Sequence, residues 1–213
     1  MSLVIALAAS RQAVIGADRR SIAFLGSCQQ LEEELYSGRI KNDQELVARA
    51  EETGAVLQIS DGREKVWRRG DQGDILVGEV TELSPILERR RRIYIAPGAS
   101  LQVEIKREER AELKPEDRCG EARITAWGAV GCTIFGNRFT QKLAAEEIAL
   151  ARARVDEALI EGILQKAGEK TASVSREHTI LKSNAVRADA RADLLAALEK
   201  DCKEHGWRLC GLQ

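Results

Sequence analysis

Two short apolar runs stand close together at the start of the chain, LVIALAA at 3–9 and AVIGA at 13–17, separated only by Ser10-Arg11-Gln12. Runs of this length, rich in Val and Ile and without polar alternation, suit strands covered on both faces. The three-residue break is short enough for a hairpin, although it lacks the usual Gly or Asn. A hairpin buried on both faces needs a layer on either side of it, and this restricts the fold to a layered architecture.

The remaining segments supply those layers. SIAFLG at 21–26 reads as a third strand. A helix follows, with Cys28, Leu31 and Leu35 on one face and Gly38 as its stop. Asn42, with Glu45 three residues on, starts a second helix whose apolar stripe is Leu46, Val47 and Ala50. The span 28–53 is thus a helical insert among strands. Strands are expected at 55–61, 63–69, 74–80, 91–96 and 100–108, with Pro97-Gly98 as a turn. RITAWGAVG and CTIFGNRFT read as a further strand pair, then a long helix from about Gln141 to Gly168, a strand over 173–182 and a helix from about Asp189 to His205. Strands first, with helices inserted and appended, argue for an α+β class.

Composition excludes several function classes. With 213 residues, 44% hydrophobic and 31% charged, the chain is long enough to bury a core of its own. Lys+Arg of 33 against Asp+Glu of 34 gives a net charge of -1, without the basic excess of a nucleic-acid binder. Cys28, Cys119, Cys132, Cys202 and Cys210 are scattered, and with only His178 and His205 they do not make a structural metal site. They read as buried free thiols in a reducing compartment, Cys132 being a core position. The first apolar run has no basic leader and is too short for a signal peptide or a membrane span, so a cytoplasmic location is expected.

SLVIALAASRQAVIGADRR resembles the N-terminus of proteasome β-type subunits and other N-terminal nucleophile hydrolases. In that resemblance Ser2 falls on the nucleophile and Asp18 on the catalytic acid without a gap. ISDGREKVWRRGDQGDILVGEV looks like the segment carrying the family's lysine and then its oxyanion glycine, here Gly78. With the insert at 28–53 and the RRRRIYIAPG stretch, the layout is most similar to the archaeal connectases, proteasome-related protein ligases of methane-producing archaea. The resemblance implies an N-terminal nucleophile αββα four-layer sandwich over 1–213, with two antiparallel sheets between helical layers. Two registers for the lysine stay open. If Lys65-Val66 matches the family's Lys-Ile or Lys-Leu pair, its place falls near Asp61; otherwise Lys65 is the lysine and Arg63 the other nearby cation.

The chemistry suits these residue types. A serine hydroxyl needs a base within hydrogen-bond reach, and an N-terminal serine carries one in its own α-amine, of pKa about 7.7–8.0. Removal of Met1 is then the activating event. A neighbouring cation lowers the pKa of hydroxyl and amine, an acid orients that cation, and a glycine N–H meets the oxyanion. By resemblance the substrate is a Lys-Asp-Pro-Gly-Ala-type motif, in the A subunit of the tetrahydromethanopterin S-methyltransferase complex. It is cleaved after Asp and rejoined to a Pro-Gly-Ala amine, with no cofactor. Arg63 and Arg20 are the candidate substrate-binding cations. Two other readings stand beside this one: a hydrolytic peptidase or amidase on the same site, and an inactive proteasome-fold binding protein.

Blander readings accompany several residues. Asp18-Arg19-Arg20 can be a strand end entering solvent, and Lys65 an exposed strand lysine. Arg89–Arg92 reads as a solvated strand start of the kind that blocks unwanted edge pairing. Ala96-Pro97-Gly98-Ala99 reads as a turn, His178 as structural, and Ser173 and Ser175 as candidate polar support for the N-terminus.

Overall fold

A computed structural model describes residues 3–26, 28–84, 87–108, 119–151 and 156–211. Among these it is a mixed α+β protein with three sheets and five helices. The chain divides into two compact units. One holds 3–5, Gly16–Val66 and Ile134–Ile180; the other holds Ala6–Ile15, Trp67–Thr133 and 181–211.

The opening hairpin forms as its composition requires. β1 (Val4–Ala8) and β2 (Ala13–Asp18) are buried at every position, and Ala9 N donates to Gln12 O at 2.8 Å across the turn. They are the central strands of a four-stranded sheet, between β10 (Gly131–Phe135) and β11 (His178–Ser183).

In the first unit, β3 (Ser21–Leu25) and β4 (Val56–Ser60) pair antiparallel as a separate ribbon, with Ile22 opposite Ile59 and Phe24 opposite Leu57. Burial alternates along both strands, so one face is covered and the other wet. The cover is the helical insert, α1 (Gln29–Tyr36) and α2 (Asp43–Thr53), whose Leu31, Leu35, Leu46 and Ala50 pack with Ile22, Phe24, Leu57 and Ile59. Each fully buried leucine contributes about 1.5–3 kcal/mol relative to exposure. The helix start comes close to a capping box: Asn42 accepts from Glu45 N, while the Glu45 carboxylate accepts from Lys41 N, one residue before the cap, at 2.8 Å. Val47, expected in the stripe, is 49% exposed, because α2 turns only Leu46 and Ala50 inward.

The second unit is built on a six-stranded sheet, ordered β12 (Arg208–Cys210), β9 (Glu121–Gly128), β8 (Ala99–Glu108), β7 (Leu87–Ala96), β6 (Ile75–Leu83), β5 (Val66–Arg69). α5 (Ala190–His205) packs Leu194, Leu198 and Cys202 against Tyr94, Leu101 and Val103 of this sheet. Gly98 takes φ 80° in the β7–β8 turn, a conformation open to glycine.

Several expectations are corrected. The long helix is two, α3 (Arg138–Leu150) and α4 (Glu157–Lys170), because Asp156 is extended and its carboxylate accepts from Leu159 N to begin a new helix. Val155, expected on its face, lies outside the described residues. RITAWGAVG and CTIFGNRFT do not pair: β9 lies between β8 and β12, while β10 lies beside β1, and Asn137 caps α3. The strand read over 173–182 begins only at His178. All five cysteines are free, but only Cys202 is buried, and Cys132 is exposed. The arginine block is not a solvated strand start. Arg89, Arg90 and Arg91 pair with glutamates across the sheet, and Arg92 is 2% exposed, held by Glu79 and Asp201 and flanked by the rings of Trp67 and Trp207.

Candidate active site

The first unit gathers an acid, a lysine and an arginine around the start of β1. Asp18, the last residue of β2, is completely buried, and its carboxylate is met by three donors. Leu3 N reaches Oδ1 at 2.7 Å, while Arg20 N and the Lys65 ammonium reach Oδ2 at 2.8 Å each. Asp18 N in turn donates to Leu3 O at 3.2 Å, so the main chains at the start of β1 and the end of β2 are locked together. A buried carboxylate is tolerable because its lone pairs are taken by donors, one of them charged.

Lys65 directly precedes β5, is 3% exposed, and also donates to Arg20 O at 2.6 Å. Burial pulls its amine down from 10.5 to about 8, against the opposing charge and hydrogen bond of Asp18; Arg63 lowers it slightly and Asp61 raises it. Of the two positions the sequence left open, Lys65 meets Asp18, and Asp61 meets Arg20. The Asp61 carboxylate receives Arg20 Nε and Nη2 at 2.8 Å each, and Arg20 holds it below the usual carboxylate range.

Arg20 is therefore not a strand end entering solvent. It is 7% exposed, and besides Asp61 it reaches Asp43 and Ala172 O. The hydrogen bonds it donates to Asp61, and then to Asp43, hold its charge more firmly than usual despite burial. Arg63 is exposed, and its amide donates to Arg19 O at 3.1 Å. Gly78 lies within β6 opposite Ile93, in the other unit. Ser2 lies outside the described residues.

The segment after α4 supports this cluster. Ser175 Oγ accepts from Arg19 N at 3.0 Å and donates to Glu177 O at 2.6 Å. Ser173 Oγ is hydrogen-bonded by Asn137 Nδ2 and shares a hydrogen bond with Thr171 Oγ1. Gly168 permits the approach, since a Cβ there would stand 2.8 Å from Ser175 O. A cleft of about 640 Å³ opens beside the cluster, lined among others by Arg20, Asp43, Asp61, Thr171, Arg176 and Glu177. Asp43 and Asp61 as partners of Arg20 were not legible in the sequence. Asn42 and Glu45 mark Asp43 only as the start of a helix.

The class these features define is a mixed α+β protein with a buried aspartate–lysine pair at the amide that follows residue 2. The chain belongs to the connectase family: residues 1–203 match the family described as Connectase MJ0548-like, N-terminal domain. No curated protein matches it. Membership points to an enzyme of ligase type acting on a protein substrate. Among the described residues, no helix is long and apolar enough to cross a membrane.

Proposed function

We propose that this protein is an N-terminal serine protein ligase of the proteasome-related kind, a single N-terminal nucleophile domain with the 28–53 insert. The observation that carries the reading is the Asp18 carboxylate, which binds the Lys65 ammonium and the Leu3 amide together. Leu3 N is one covalent bond from the Ser2 carbonyl carbon, so a lysine held by the same acid is suited to act on Ser2.

After Met1 is removed, the Ser2 α-amine takes the hydroxyl proton as Oγ attacks the carbonyl carbon of the substrate aspartate. Two Lys65 donors are engaged by Asp18 and Arg20 O, which leaves one for the serine oxygen. A main-chain N–H receives the oxyanion, a contact worth roughly 2.7–4 kcal/mol in comparable sites. Collapse breaks the Asp–Pro bond, and the proline nitrogen leaves with the proton held by the α-amine. The resulting ester on Oγ sits beside that amine, and an O-to-N shift converts it to an amide that resists water. Reversal of the shift and attack by a Pro-Gly-Ala amine restore a peptide bond. The substrate is a Lys-Asp-Pro-Gly-Ala-type motif, Arg63 is its exposed cationic neighbour, and the setting is a methane-producing archaeon.

The test is an intact-mass spectrum before and after mixing with a peptide containing Lys-Asp-Pro-Gly-Ala. The reading expects loss of Met1 and then a mass gain equal to the segment ending in Asp. An added Pro-Gly-Ala peptide should remove that gain. Retention of Met1 overturns the reading, because a blocked amine is no base, and hydrolysis without any adduct replaces ligation by peptidase action.

A further inference from the structure

Arg20 uses every donor of its guanidinium within the protein. Nε and one Nη2 proton go to Asp61, the second Nη2 proton and one Nη1 proton to Asp43, and the last Nη1 proton to Ala172 O. No donor is left for a substrate carboxylate. The main chain of the same residue does different work, since Arg20 N donates to Asp18 Oδ2 and Arg20 O accepts from Lys65 Nζ. Both members of the acid–lysine pair are thus hydrogen-bonded to the backbone of a residue whose side chain is clamped at three points.

We propose that Asp43 is a positioning residue for Lys65, acting from the first turn of α2 through Arg20. This rests on the reading of Lys65 as part of the active site. Asp61 alone grips one edge of the guanidinium, and a planar fork gripped on one edge can still swing. Asp43 takes the other edge from a helix anchored by the buried Leu46 and Ala50, so the rigidity of the insert passes to the Arg20 carbonyl. The insert is then a fixed buttress of the lysine, which must be held in place for acyl transfer. The charged groups facing Lys65 are Asp18 in contact, with Asp61 and Arg63 acting through their charge.

The test uses the full chain with two readouts: the NMR titration of the Lys65 side chain, and the rate of adduct formation with the Lys-Asp-Pro-Gly-Ala peptide. In D43N the Lys65 midpoint should fall by about half a pH unit, because the protonated form loses a well-placed acceptor. Adduct formation should slow about tenfold with KM changed less than about twofold. D43E should restore both. R20K keeps the charge but not the fork, and should shift the midpoint in the same direction, which separates geometry from charge. R49A cuts the Arg49 pairs with Glu34 and Glu52 without touching Arg20, and should leave both readouts at wild-type values. Wild-type readouts in D43N, or equal changes in R49A, overturn the proposal. A wild-type chain that forms no adduct overturns the ligase reading, while the lysine titration still decides the role of Asp43.

Discussion

Lys65 and Asp18 are 47 positions apart in the chain and 2.8 Å apart in space, both withdrawn from solvent. An ion pair so placed adds little net stability, because desolvation offsets attraction, yet removing one member strands the other. The pair therefore matters more for where it holds a charge than for holding the fold together.

K65M should abolish adduct formation, with a rate loss of about 10²–10⁴ for a group that assists proton transfer. It should also lower the unfolding free energy by about 3–5 kcal/mol, since Asp18 is left buried without its cation. D18N/K65M, with neither charge, should recover part of that loss. Urea denaturation of the three chains checks the stability arm, and intact mass checks the activity arm.

The lowered pKa of Lys65 carries a sign. Its folded value is about 8 against 10.5 for an ordinary lysine amine, so between these pH values the unfolded chain binds more protons than the native one. The contribution of Lys65 to stability must rise with pH across that window and fall back as pH drops through 8. Subtracting the K65M profile from the wild-type profile should give a difference that climbs from about pH 8 to 10.5. A flat or falling difference would contradict a buried, desolvated lysine.

The same substitution should have opposite effects at two glycines of α4. In G168A the new Cβ stands 2.8 Å from Ser175 O and 3.2 Å from Ser175 C, so backbone must move, at a cost of about 1–3 kcal/mol. In G162A nothing lies within 4 Å, and a helical Gly to Ala change should stabilise by about 0.5–1 kcal/mol. Thermal midpoints of the two variants test this directly. G168A should also slow adduct formation, because Ser175 holds Arg19 N beside the acid.

Within the arginine block, R92M and R89A should separate clearly. Arg92 is buried between Glu79 and Asp201, and its loss takes a buried cation from both carboxylates, leaving Glu79 with Arg90 and Asp201 with Arg69 and Tyr94, so it should cost about 3 kcal/mol. The Arg89 side chain is 43% exposed, and R89A should change stability by no more than about 1 kcal/mol. Chemical denaturation of each chain supplies the comparison.

What the sequence by itself determined about this protein are the features made by neighbours in the chain. The hairpin at 3–17 follows from two apolar runs with a short break, the start of α2 from Asn42 and Glu45, the turn at Gly98 from Pro-Gly, and the end of β2 from Asp18. Each rests on hydrogen bonds or burial within a few residues. The tertiary structure alone decided that Lys65 rather than a residue near 61 faces Asp18, that Arg20 is clamped by Asp43 and Asp61, that Arg92 is buried, and that β9 and β10 join different sheets. These depend on register between segments tens of residues apart, where a slip of one residue turns a side chain to the opposite face. Local propensity holds no information about that register; it is set when distant apolar faces pack and buried charges find the only partners that satisfy them.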